Sequence, residues 1–102
     1  MVQVKVCGIT NLTDALAAVK SGADALGFNF YRRSPRYVEP SQAREIVERM
    51  PPEVLCVGVF VNEERATVER VVAESNVAAA QLHGDESSAY CEELAGLRVI
   101  KA

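Results

Sequence analysis

The chain has 102 residues, 49% of them apolar and 25% charged, with a formal net charge of −3, which suits one globular domain around one core. Charges of both signs are interspersed, so neither nucleic acid nor an anionic membrane is offered a basic face, and no apolar stretch approaches the roughly 20 residues of a membrane span. The opening MVQVKVCGIT lacks the basic start and apolar run of a secretion signal, and Cys7, Cys56 and Cys91 are spaced for neither a disulfide framework nor a zinc site, so a cytoplasmic protein with free thiols is expected.

Along the chain, short β-rich runs alternate with helical patterns. The first run, residues 2–7, puts Val2, Val4 and Val6 on one face and Gln3, Lys5 and Cys7 on the other, because successive strand side chains point to opposite sides. The valine face suits packing under helices. The first helix starts at Asn11 or Thr13, whose side chains can accept from free backbone N–H groups. It turns Leu12, Ala15, Leu16 and Val19 to one face and stops at Gly22. A second strand is expected over 25–30. Pro40 opens the next helix, Ala43, Ile46, Val47 and Met50 form its buried stripe, and Pro51-Pro52 cannot continue it. A third strand over 54–61 leads to a helix capped by Asn62 that buries Val68, Val71 and Val72. A strand over 78–82, a helix from about Asp85 to Gly96 and a strand over 98–101 complete the series. Strands that return after each helix imply a parallel sheet.

Two α/β folds satisfy this rhythm. A flavodoxin-like doubly wound sheet has five parallel strands and fits the length; a (β/α)8 barrel typically needs about 250 residues, with roughly 200 as a lower limit. The face carrying Lys5 and Cys7 is unusual for a strand buried on both sides, where near-continuous apolar residues are the norm. A barrel accommodates it, because its interior opens at the carboxyl rim into the active site, with Cys7 at that rim.

Few side chains bring reactive chemistry. Taken alone, a strand cysteine such as Cys7 reads as a small buried hydrophobe. To act as a base it must be a thiolate, which a nearby cation favours, and Lys5 lies two residues away on the same face. The loop YRRSPRYV carries Arg32, Arg33 and Arg36 at a strand exit. Guanidinium groups there either are solvated surface charge or recognise a planar carboxylate. His83, the single histidine, directly precedes Gly84 and on its own reads as a structural hydrogen-bonder, since a Cys7–His83 pair would lack a third orienting group. Cys56 reads as core and Cys91 as part of the fourth helix. There is no glycine-rich phosphate loop and no metal-ligand spacing. A receiver-type module would want an acidic cluster at strand ends to hold a divalent cation, and the first strand ends in Cys7-Gly8 instead.

KVCGIT at 5–10, followed by NLTDA and SGADALGFNFY, then SPRYV at 34–38, GVFVN at 58–62, QLHGDE at 81–86 and the terminal VIKA, resemble in order and spacing the phosphoribosylanthranilate isomerase family. The resemblance covers nearly the whole chain. It implies a (β/α)8 TIM barrel, with residues 1–102 as the N-terminal half of that single domain: the first four βα units plus the fifth strand. It also implies a role in tryptophan biosynthesis, an aldose-ketose isomerase that carries out the Amadori rearrangement of N-(5-phosphoribosyl)anthranilate without cofactor or metal. Residue for residue it puts the general base at Cys7, the anthranilate-contacting arginine at Arg36, and His83 and Gln81 at the active-site rim in positioning roles. The family's general acid, an aspartate on the sixth strand, and its phosphate site, built after the seventh and eighth strands, would lie beyond residue 102. A chain inactive alone is therefore implied, one that pairs with the missing C-terminal half or self-associates through open strand edges. The competing function is a non-catalytic flavodoxin-like binding or signalling module.

Overall fold

The computed structural model describes residues 4–82 and 98–101. In chain order the elements are β1 (Lys5–Val6), α1 (Leu12–Lys20), β2 (Ala25–Asn29), α2 (Pro40–Val47), β3 (Leu55–Phe60), α3 (Arg65–Ser75), β4 (Ala79–Leu82) and β5 (Arg98–Lys101). The strands pair in parallel in the order β1-β2-β3-β4-β5. Right-handed crossovers that never reverse direction produce that order. It excludes the doubly wound alternative, in which the third strand lies beside the first. The expected fourth helix, His83 and Cys91 lie outside the described residues.

Helices cover one face of the sheet. Leu26 and Phe28 of β2, Cys56 and Phe60 of β3, and Ala80 and Leu82 of β4 share one cluster with Ala15, Ala43, Ile46, Val68 and Val71 of the helices. These strand residues alternate along each strand, so they project from the same side. Leu26, Phe28, Phe60 and Leu82 are fully buried, each stabilising the fold by about 1.5–3 kcal/mol relative to exposure. Gly58 makes room within this layer: a Cβ there would lie 2.8 Å from the Phe30 ring and 3.1 Å from that of Phe60.

On the opposite face, Gly27, Val57 and Ala79 stand in register across three strands, with Asn29, Val59 and Gln81 in register one layer above. That face is concave. Lys5 Nζ on β1 donates a hydrogen bond to Gln81 Oε1 on β4. In a flat sheet, three strand spacings would set those backbones roughly 14 Å apart, with side chains rising parallel rather than converging. The polar face of the first strand therefore points inward, as a barrel requires.

Local chemistry sets the ends of the elements. Asn11 caps α1, its Oδ1 accepting from the Asp14 N–H at 2.8 Å while its Nδ2 donates to Asp14 Oδ2 at 3.0 Å. Ala15 is buried and Leu12 and Val19 pack against the core, but Leu16, expected on the same face, is 50% exposed. Val4, expected under the helices, is 46% exposed. Both residues belong to the β1–α1 end of the layer, where β1 is the edge strand among the described residues.

Pro40 opens α2, the Glu39 N–H donates to Gln42 Oε1 at 3.3 Å, and the helix closes at Val47, short of Pro51. Asn62 does not cap α3. Glu64 occupies the N-cap position, and Asn62 instead takes a φ of 48° where the chain leaves β3, a left-handed conformation that asparagine tolerates. Asn76, with φ of 61°, ends α3, its N–H donating to the Val72 carbonyl at 2.9 Å. Ser75 is fully buried, a position the apolar pattern did not anticipate, and its Oγ donates to the Val71 carbonyl at 2.7 Å, so the hydroxyl is not left without a partner.

Candidate active site

Strand β1 ends at Val6, and Cys7 is the first residue past it, one residue earlier than the expected strand end. The N–H groups of Gly8 and Ile9 both donate to the Gly27 carbonyl, at 3.0 and 3.1 Å. Gly8 has φ of +81°, a conformation that glycine adopts without the steric penalty other residues meet. The turn leaves Cys7 exposed at the carboxyl end of the strand, seated over Gly27 of β2. A Cβ on Gly27 would lie 3.1 Å from Cys7 Sγ and 3.2 Å from its Cα. Since Gly27 belongs to the concave face, so does the thiol.

Arg36 arrives from the loop between β2 and α2. That loop is pinned at both ends: the Val38 N–H donates to the Asn29 carbonyl at 3.1 Å, and Val38 is buried. Between them, the Ser34 N–H donates to the Tyr31 carbonyl at 2.9 Å, the Tyr37 N–H to the Ser34 carbonyl at 3.1 Å, and the Arg36 N–H to Ser34 Oγ at 3.1 Å. These bonds fold the loop back over the end of β1. The Arg36 side chain then lies across Gly8, where a Cβ would be 2.5 Å from its Cδ and 2.9 Å from its Nη1. Cys7, Gly8, Thr10, Asp14, Pro35 and Arg36 line one open cleft.

The structure thus brings Cys7 and Arg36 together and sets Gln81 apart from them, half-buried on the concave face and bonded to Lys5. The Lys5 ammonium, expected as the cation beside Cys7, is engaged by Gln81. His83 lies outside the described residues. Arg32 and Arg33 are exposed, as surface charge would be, with the Arg32 guanidinium 5.8 Å above the Tyr37 ring, a cation–π contact. Partial burial and then Glu39 push the Tyr37 hydroxyl above its ordinary 10.0. Cys56 is core, as expected, and burial pushes its thiol from 9.0 up to about 11. Among the described residues no group of three His, Cys, Asp or Glu side chains converges on a metal position, and no helix is long and apolar enough to cross a membrane.

Sequence reasoning missed the shaping roles of Gly8 and Gly27. Both glycines are visible in the motifs, but what each one touches is not local in sequence.

A parallel, inward-curving β/α layer with a thiol and a guanidinium at the carboxyl ends of its first strands has the architecture of a β/α-barrel enzyme, whose sites lie at that end. Comparison with known proteins narrows the class. Residues 4–102 match the family model described as N-(5'phosphoribosyl)anthranilate (PRA) isomerase. The N-(5'-phosphoribosyl)anthranilate isomerase of Thermotoga neapolitana is 56% identical over 103 residues, an alignment covering 100% of this chain and 50% of that protein. The crystal structure of phosphoribosyl anthranilate isomerase from Thermotoga maritima superposes with a TM-score of 0.96 at 52% identity, covering 99% of this chain and 50% of that one. A phosphoribosyl anthranilate isomerase in complex with reduced 1-(o-carboxyphenylamino)-1-deoxyribulose 5-phosphate gives the same TM-score and identity, covering 99% of this chain and 53% of the other. The chain belongs to the phosphoribosylanthranilate isomerase family, whose fold is the (β/α)8 barrel. It spans about half the length of the curated relatives it matches.

Proposed function

We propose that this chain carries the N-terminal half of a phosphoribosylanthranilate isomerase active site. The reaction would be the Amadori rearrangement of N-(5-phosphoribosyl)anthranilate to its 1-deoxyribulose 5-phosphate aminoketose in tryptophan biosynthesis, in the cytoplasm. The observation that carries this reading is the shared cleft of Cys7 and Arg36 at the strand ends.

An acid protonates the ribose ring oxygen, the bond from that oxygen to the first sugar carbon breaks, and the nitrogen lone pair forms a protonated Schiff base. Cys7, as thiolate, removes the proton from the second carbon. The released electron pair moves toward the imine nitrogen and gives an enolamine, which tautomerises to the ketone. No atoms are gained or lost. The protonated imine is itself the electron sink, so the chemistry calls for neither cofactor nor metal. Arg36 pairs with the anthranilate carboxylate, for which a guanidinium fork is well matched. The ligand bound by one relative carries such a carboxyphenylamino group, together with a phosphate.

Gln81, through Lys5, and His83 serve as rim positioning residues. The acid and the phosphate site belong to later strands of the barrel, so these 102 residues alone do not turn over substrate. The test is complementation with the C-terminal half of the Thermotoga maritima isomerase. Activity is expected only with both parts, and Cys7→Ser is expected to lower kcat by about 10²–10⁴-fold. Arg36→Ala should chiefly raise KM. Full activity with serine at position 7 would overturn the proposal.

A further inference from the structure

We propose that Gly8 is a specificity-setting positioning residue: its bare Cα is the seat of the Arg36 guanidinium, and so it couples the carboxylate clamp to the turn that presents Cys7. The inference deepens the proposed function and rests on the roles given there to Cys7 and Arg36.

The position of the seat is set by the sheet: the Gly8 N–H is held at 3.0 Å by the Gly27 carbonyl of the neighbouring strand. Arg36 is exposed, and the ion pairs Arg44–Glu48, Arg65–Glu69 and Arg70–Glu74 do not involve it. Its backbone is held by Ser34, and its side chain lies against Gly8. Cδ, Nη1 and Nε lie 2.5, 2.9 and 3.4 Å from where a Cβ would stand. A side chain at position 8 therefore requires the Arg36 side chain to move off the Gly8 Cα, within the cleft it shares with Cys7. Gly27 plays the matching part below the thiol, where an added Cβ would press on Cys7 Sγ at 3.1 Å. The two glycines act on separate partners. Losing the first should impair recognition of a carboxylate, and losing the second should shift the thiol.

The 102-residue chain itself allows a test, using iodoacetate and iodoacetamide as charged and neutral probes of Cys7. Rates are read at the Cys7 peptide by mass spectrometry, and their ratio cancels changes in thiol exposure or ionisation. A guanidinium about 6 Å from the incoming carboxylate in water should favour iodoacetate about threefold. Arg36→Ala is expected to remove that preference. Gly8→Asn retains a residue that tolerates positive φ but adds a Cβ, and should lower the ratio as far as Arg36→Ala does. Gly27→Ala should slow both reagents together and leave the ratio unchanged. Protection of Cys56 in the same digest shows that each variant is folded. An unchanged ratio in folded Gly8→Asn overturns the proposal. So do equal ratios in wild type and Arg36→Ala, a comparison that needs no change at Gly8. Should the complemented enzyme prove inactive while the ratios behave as stated, the isomerase reading fails and the seat stands.

Discussion

Replacing Gly58 by alanine tests how the helix-covered face of β3 is packed, because two physical effects of opposite sign compete there. Inside a strand, alanine is favoured over glycine by roughly 0.5–1 kcal/mol through the smaller backbone entropy lost on folding, so on propensity alone the substitution stabilises. In the structure the new Cβ falls 2.8 and 3.0 Å from atoms of the Phe30 ring and 3.1 Å from the Phe60 ring. Carbon pairs prefer about 3.5–4.0 Å, so relief needs movements of about 0.7 Å. Phe60, 1% exposed, is enclosed, and Phe30, 6% exposed with its centroid 5.5 Å away, borders only a narrow cavity against Tyr37, Thr67 and Arg70, so ring movement relieves part of the overlap and not all of it. Overpacking of this kind costs about 1–3 kcal/mol, and parting the rings forfeits some of the about 0.5–1.5 kcal/mol of an aromatic pair. After subtraction of the propensity gain, a net destabilisation of about 2 kcal/mol is expected. Urea unfolding followed by far-UV circular dichroism measures it, at one fixed protein concentration because association would shift the midpoint. Phe30→Leu removes the obstructing ring edge, so the double variant should be more stable than the sum of the single effects by about 1 kcal/mol. A stabilising Gly58→Ala, or strict additivity with Phe30→Leu, would refute the argument.

Alkylation at pH 8 should modify exposed Cys7 while Cys56, buried and with its thiol pushed up to about 11, reacts only in denaturant; peptide mass mapping checks both. The same burial predicts a pH dependence of stability. The Cys56 thiol stays neutral in the folded chain while it begins to ionise in the unfolded one near 9.0, so its contribution is complete below about 9 and is lost as pH rises toward 11. Urea midpoints that stay level across that window in wild type, or that fall just as far in Cys56→Ala, would remove this account. Asn11→Ala leaves the Asp14 N–H without its acceptor and should cost about 1 kcal/mol, the usual value of an N-cap, read from the same unfolding curves. Strands β1 and β5 are the edges of the sheet, templates for pairing with another chain, so sedimentation of the chain alone should show concentration-dependent association; a monomer at tens of micromolar, roughly the range in which such exposed species associate, would count against it.

Much of the fold could be read along the chain because the signals that carry it are local. Asn11 caps the helix it precedes, Pro40 opens the next, and alternating runs mark each strand, since hydrogen bonding at helix ends and side-chain periodicity depend on residues a few positions apart. The same locality explains the failures. Asn62 suits a helix cap and a left-handed backbone equally well, and only the path leaving β3 selected the second. Leu16 sits on the apolar stripe of α1, yet its exposure depends on what lies beyond the β1 edge.

The amino-acid sequence by itself determined the succession of strands and helices over the described residues, the placement of Cys7 at a strand's carboxyl end, and the family to which its motifs belong. Tertiary structure decided the strand order, which periodicity left open between two folds and the family resemblance implied, and it alone disclosed the bond that lets Lys5 reach Gln81 across 76 positions and the seating of Arg36 on Gly8 beside Cys7. Those features arise from contacts between segments distant along the chain. Whether such segments meet depends on how every helix packs against the sheet, a sum that no local pattern contains.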